Sequence, residues 1–188
     1  MLIAENLCKS YGGITVIDSF SHEFPEGSTT VIMGASGCGK TTLLSLLMGI
    51  VKPDSGSVTG NDTRMSAVFQ EDRLCGNLTV LANLKLVLPG KPDRALLERE
   101  LTAIGLDGCA DKPVRSLSGG MKRRTALLRA LLAEHELLFL DEPFKGLDDD
   151  TRQSVMTYTR EKAAGKTVIL VTHSREEADF FADNTIML

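Results

Sequence analysis

Long apolar runs are missing from this sequence. The longest, Leu46–Val51 and Leu137–Leu140, fall far short of the roughly 20 residues that a bilayer-spanning helix needs, so a membrane-crossing chain is not expected. An excess of positive charge is also absent. Lys and Arg number 21 against 25 Asp and Glu, a net charge of -4, so no broad cationic face offers itself to a nucleic-acid backbone and no nucleic-acid partner is expected. Cysteine is sparse: Cys8, Cys38, Cys75 and Cys109 contain no CxxC pair. Met1–Tyr11 carries no apolar export segment, so the four read as reduced thiols of a cytosolic protein and as neither a disulfide framework nor a zinc site. Internal repeats and low-complexity segments are absent too. What remains is 188 residues, 43% hydrophobic and 24% charged, the balance of one folded domain with a sizeable core.

The patterning is that of an α/β protein. Leu2–Leu7 and Thr15–Phe24 read as strands around the Gly12-Gly13 turn, a small antiparallel edge. Thr29–Met33 is a β-branched strand leading through a glycine-rich loop into a helix over Thr41–Met48, broken by Gly49, Pro53 and Gly56. Met65–Phe69 reads as another buried strand. From about 71 to 116 the pattern turns helical: Thr79–Leu88 closes at Pro89-Gly90, and Asp93 caps a helix with Leu97, Leu101 and Ile104 on one face. We expect this to be a helical lobe inserted into a single domain over 1–188. A helix from Gly119 to about Ala133, a strand Leu137–Leu140, a helix after Asp148, a strand Thr167–Val171 and a helix capped by a Ser174/Glu177 capping box follow. A strand-like Asn184–Leu188 comes last. Strands alternating with helices predict a mostly parallel sheet covered on both faces.

The chemistry sits at the strand ends. Gly34-Ala35-Ser36-Gly37-Cys38-Gly39-Lys40-Thr41 fits G-x-x-x-x-G-K-[ST] between a strand and a helix, the setting in which backbone N–H groups and a helix N-terminus cradle phosphate. Lys40 would reach the β and γ phosphates and Thr41 would ligate Mg²⁺, with Thr42 beside them. Leu137–Leu140 runs into Asp141-Glu142, which puts Asp141 near the Mg²⁺ and Glu142 where a carboxylate can polarise a water. Taken alone, Asp-Glu-Pro is also ordinary turn material. Ser118-Gly119-Gly120 precedes Lys122-Arg123-Arg124 in a first helical turn, where cations oppose the macrodipole and an anion is the natural compensator. The bland reading is that they splay into solvent.

Over essentially its whole length the chain resembles the ATP-hydrolysing subunits of ABC transporters, a P-loop fold with a parallel sheet, an antiparallel edge and an inserted helical subdomain. Leu117-Ser118-Gly119-Gly120-Met121 resembles the LSGGQ signature of that family, with Met121 in place of glutamine. The resemblance implies two ATP molecules with Mg²⁺ in a head-to-tail homodimer, the signature of one subunit meeting the γ phosphate held by the other. It further implies that Gln70 is the Q-loop contact to Mg²⁺ and water, Asp148 the D-loop aspartate, His173 the switch histidine, and Tyr11 the aromatic that stacks on adenine. An integral membrane permease is the implied partner, with the chain peripheral on the cytoplasmic side.

Val68–Leu74 and Ser118–Arg124 are most similar to the branch that energises nitrate, sulfonate and taurine-type bacterial importers, though Cys75-Gly76-Asn77 departs from it. A P-loop kinase or GTPase would have no use for a signature helix. A nucleotide-gated scaffold in DNA repair or translation would ordinarily carry coiled-coil insertions or two cassettes. For docking the permease, the expected surface is the Gln70 side of the lobe, with Leu74–Leu88 as an apolar wall.

Overall fold

The structure, a computed structural model, describes residues 1–188. In chain order its elements are β1 (Leu2–Tyr11), β2 (Ile14–Phe24), β3 (Thr29–Met33), α1 (Lys40–Leu47), β4 (Ser55–Thr59), β5 (Met65–Val68), α2 (Val80–Lys85) and α3 (Arg94–Ala103). A 3-10 turn at Val114–Ser116 leads to α4 (Gly119–Leu132), β6 (Leu137–Asp141), α5 (Asp149–Lys162), β7 (Thr167–Val171), α6 (Arg175–Phe181) and β8 (Asn184–Met187). The chain divides into two compact units. One comprises Met1–Met65, His135–Asp141 and Gly165–Leu188, the other Ser66–Glu134 and Glu142–Ala164.

In the first unit, β6 and β7 are buried at every position, as continuous apolar strands must be when both sheet faces are covered. β7 lies parallel between β6 and β3, and β3 pairs on its other side with β8. Registers Asp141↔Val171 and Ile32↔Val171 put the carboxyl ends of β6, β7 and β3 at one level. The segments that follow, Gly34 onward and Thr172-His173, therefore leave the sheet from the same end, where α/β proteins bind ligands.

The antiparallel edge is larger than its sequence suggests. β1 pairs with β2 through the two-residue Gly12-Gly13 loop, joining Tyr11 to Ile14, and pairs on its other edge with β4. Gly56, a breaker by sequence pattern, lies inside β4. Gly56 instead has φ +84, and a Cβ there would sit 2.3 Å from the Asn6 carbonyl oxygen. Here glycine is what lets two backbones approach within a sheet.

In the second unit the cap expected at Asp93 forms, and Thr79 caps a helix as well. Thr79 accepts from the Ala82 N–H and Asp93 from the Ala95 N–H, caps worth about 1 kcal/mol each. Leu97, Leu101 and Ile104 are buried, each contributing on the order of 1.5–3 kcal/mol. The helix expected over Thr79–Leu88 is shorter. Val87 and Leu88 donate to carbonyls only three residues back, and Pro89 disfavours helical geometry in the residue before it. Tyr158 and Lys162 of α5 both reach the Glu100 carboxylate of α3, the ammonium at 2.6 Å. In the first unit the Ser174/Glu177 capping box is half formed. Ser174 Oγ accepts from the Glu177 N–H, but the Glu177 carboxylate bonds the Thr172 hydroxyl, and Thr172 rather than Glu177 accepts from the Ser174 N–H.

Candidate functional site

The phosphate-loop half lies in the first unit. Helix α1 starts at Gly39 with no side-chain cap and no acid in its first turn, so its leading N–H groups are not satisfied by the chain's own side chains. Ala35, Ser36 and Gly37 are exposed, while Lys40 is 7% exposed. The Lys40 ammonium bends back over the loop and donates to the carbonyls of Gly34 and Ala35, both at 2.8 Å. That brings the cation inside the loop rather than out into solvent. Gly39, at φ +103, has no room for a side chain: a Cβ would meet Val16 Cγ1 at 2.8 Å. The loop thus rests on β2 of the hairpin whose tip carries Tyr11. That ring is 48% exposed with the Lys9 ammonium 5.5 Å from its centroid, open to a flat partner such as a base.

Thr41 Oγ1 donates to a carboxylate oxygen of Asp141 at 2.8 Å. A hydroxyl and one carboxylate are hard oxygen ligands, and Mg²⁺ is characteristically held by one or two carboxylates plus substrate phosphates. The donor set therefore fits Mg²⁺. His173 is exposed just beyond β7, after a buried Thr172 that Glu177 holds. The histidine is thus carried on a turn fixed from beneath.

The remaining candidates belong to the second unit. Glu142 follows Asp141 directly but sits at φ +46, a left-handed conformation costing a non-glycine residue on the order of 1–2 kcal/mol. Its carboxylate pairs with Lys145 at 3.0 Å. Gln70 is exposed. Ser118 is the N-cap of α4, accepting from the Met121 N–H at 3.3 Å, and Ser118 and Gly119 are exposed at that end. A Cβ on Gly120 would be 3.4 Å from Leu147 Cδ2, so Gly120 packs beside Gly146-Leu147. Asp148 is the N-cap of α5, and the Thr151 N–H it accepts holds its carboxyl below the usual range.

The cations after the signature do not behave as the charge pattern suggested. Arg123 is 5% exposed and donates to the main-chain carbonyls of Phe69 and Glu142 at 2.5 and 2.6 Å. Arg124 donates to those of Ile104 and Gly105. Carbonyls, together with Asp72 at 3.3 Å from Arg123, compensate them; these two neither wait for an anion nor splay into water. The sequence signal for Arg123 is its helical spacing, which puts it on one face with buried Leu127 and Ala130.

These features define a P-loop nucleoside triphosphatase. Residues 17–145 match the family model described as ABC transporter, and the chain belongs to that family. It is an ATPase cassette. The aliphatic sulfonates import ATP-binding protein SsuB 1 of Streptomyces avermitilis is 39% identical over 186 residues, 98% of this chain and 71% of that protein. Its namesake in Nocardia farcinica is 42% identical over 185 residues, covering 97% and 75% of the two chains. The sulfate/thiosulfate import ATP-binding protein CysA of Vibrio vulnificus is 36% identical over 203 residues, 97% and 59%. Among solved structures, the bacterial ABC transporter cassette MJ0796 in dimeric form superposes with a TM-score of 0.86 at 28% identity, covering 100% of this chain and 94% of that one. The same cassette in a post-hydrolysis state with ADP and Pi gives 0.85 at the same coverage.

Proposed function

We propose that the chain is the ATP-hydrolysing subunit of a membrane importer for sulfur oxyanions of the sulfonate or sulfate type, working as a head-to-tail homodimer docked on an integral membrane permease. The observation that carries the site reading is the Thr41–Asp141 hydrogen bond, which joins the phosphate loop to the acidic strand end. The substrate class and the permease rest on the names of the relatives, and the dimer on the dimeric form of the similar cassette. No helix is long and apolar enough to cross a membrane.

In this reading Gly34, Ser36, Gly37, Cys38, Gly39 and Thr42 wrap the phosphates and Lys40 neutralises their β and γ charge. Thr41 and Asp141 would hold Mg²⁺, to which the family resemblance also assigns Gln70, and the ion would supply charge screening for the transferring phosphoryl group. Glu142 accepts the proton of the attacking water, and His173 donates toward the γ phosphate. Tyr11 stacks on the base. Ser118, Gly119, Gly120 and Asp148 complete the site of the opposing subunit.

Two variants separate binding from turnover. Lys40→Ala should lose ATP affinity. Glu142→Gln should bind MgATP, stop hydrolysing it and accumulate a dimer on size exclusion, because the amide is isosteric but a poor base. A Glu142→Gln protein that hydrolyses normally, or stays monomeric with excess MgATP, defeats the assignment. Co-purification of a multi-span membrane protein with the tagged chain tests the partner, and binding of sulfonate by that complex tests the substrate class.

A further inference from the structure

Arg123 occupies a position that the hydrolytic roles above leave unused. One terminal nitrogen, Nη1, lies 2.5 Å from the Phe69 carbonyl, 3.5 Å from that of Gln70 and 3.3 Å from the Asp72 carboxylate. The other, Nη2, donates to the Glu142 carbonyl at 2.6 Å. A single buried guanidinium thus clamps the main chain of the water-contacting segment to that of the general-base segment. The clamp is rigid, because a guanidinium is a planar fork whose donors keep fixed directions.

Its target is the strained residue of the site. Glu142 holds φ +46, and such a conformation persists only where the surroundings over-determine it. The Cα–Cβ direction of Glu142 follows from its backbone, so whatever fixes that carbonyl also sets the point from which the carboxylate reaches. We propose that Arg123 is a positioning residue for hydrolysis: through the Glu142 carbonyl it holds the carboxylate on line for the water, and through Phe69 and Gln70 it keeps the Q-loop in step. The proposal rests on Glu142 being the general base.

The test compares Arg123→Lys, Arg123→Gln and Arg123→Ala with Glu142→Gln in the full chain, reading kcat, KM for ATP and melting temperature. A lysine keeps the charge but cannot span both carbonyl sets. Lys and Gln variants should therefore lose about ten- to a hundredfold in kcat with KM nearly unchanged, the scale expected when a reacting group is misplaced by about an ångström. Millimolar guanidinium should restore part of the rate of Arg123→Ala. Adding Arg123→Lys to Glu142→Gln should lower the residual rate no further, because both act on one step. Folded Lys and Gln variants with parental kcat, beside an inactive Glu142→Gln, would overturn the role of Arg123 and leave that of Glu142 standing. A purely thermal defect, or failure of all three variants to fold, would assign Arg123 to stability alone and overturn it as well. If Glu142→Gln itself turns over normally, the general-base reading fails first and the positioning role falls with it.

Discussion

Thr41 and Asp141 lie 100 residues apart in the chain, yet the hydroxyl of one donates to the carboxylate of the other at 2.8 Å. Parallel pairing of β3 and β6 with β7 brings this about, since the registers align Ile32, Val171 and Asp141. If the pair is the protein's share of a Mg²⁺ shell, Thr41→Val and Asp141→Asn should each raise the Mg²⁺ concentration for half-maximal ATPase by at least about tenfold. Nucleotide binding measured in EDTA should barely change. A parental Mg²⁺ titration for both variants would remove the pair from the metal site.

Cys38 sits inside the phosphate loop, half-buried, with the Lys40 ammonium 3.9 Å from its sulfur. Its Sγ already occupies the space where a Cβ on Gly34 would go, 2.7 Å away. Any group added to that sulfur must displace either the loop or the phosphates. Maleimide should therefore abolish ATPase activity, and saturating MgATP should slow labelling of Cys38 but not of exposed Cys75. Full activity after mass spectrometry shows complete modification at Cys38 would refute this.

Elements whose pattern depends on their own residues were legible in the sequence. β3 runs over Thr29–Met33 as read, and the Asp93 and Ser118 ends of α3 and α4 are where local capping chemistry puts them. The phosphate loop was legible for the same reason, since its spacing encodes its geometry. What escaped is decided by partners distant in sequence. β4 looks like glycine punctuation until Asn6 is placed against Gly56. Arg123 looks like one member of a solvated charge run until Phe69 and Glu142 supply carbonyls around it. The apolar wall expected over Leu74–Leu88 also divides: Val80, Leu81 and Leu84 are core, whereas Leu78 and Leu86 are 39% and 58% exposed.

That division sharpens the docking prediction. The exposed Cys75 and Leu78 lie on a loop fixed by Asn83, which is fully buried and bonds both the N–H and the carbonyl of Cys75. A rigid loop with an exposed leucine suits a short helix from the permease. Native Cys75, or single cysteines at Asn77 and Leu86, should cross-link to the membrane subunit with a yield that changes when MgATP is added. Asn83→Ala should weaken coupling between transport and hydrolysis more than hydrolysis by the free subunit. Strong cross-links elsewhere with none here would move the interface off this lobe.

The antiparallel edge supplies a pH dependence. On β2, His22 packs edge-on against Phe24 with ring centroids 4.8 Å apart, and its Nε2 is buried without a hydrogen-bond partner. Burial holds the imidazole below its ordinary value of 6.5, with the Glu23 charge opposing weakly. A histidine depressed in the folded state takes up a proton more readily when unfolded. Its contribution is therefore present above about pH 6.5 and is lost as pH falls from there through the lower folded-state value. The melting temperature should decline between about pH 7.5 and 5.5, and His22→Phe, which keeps a ring beside Phe24, should flatten part of that decline by a few degrees at most. ATPase activity at pH 7.5 should be unaffected, because β2 bears on the phosphate loop through Val16 and Ile17 rather than through His22. Parallel melting curves for the two proteins across that range would show that His22 does not titrate with unfolding.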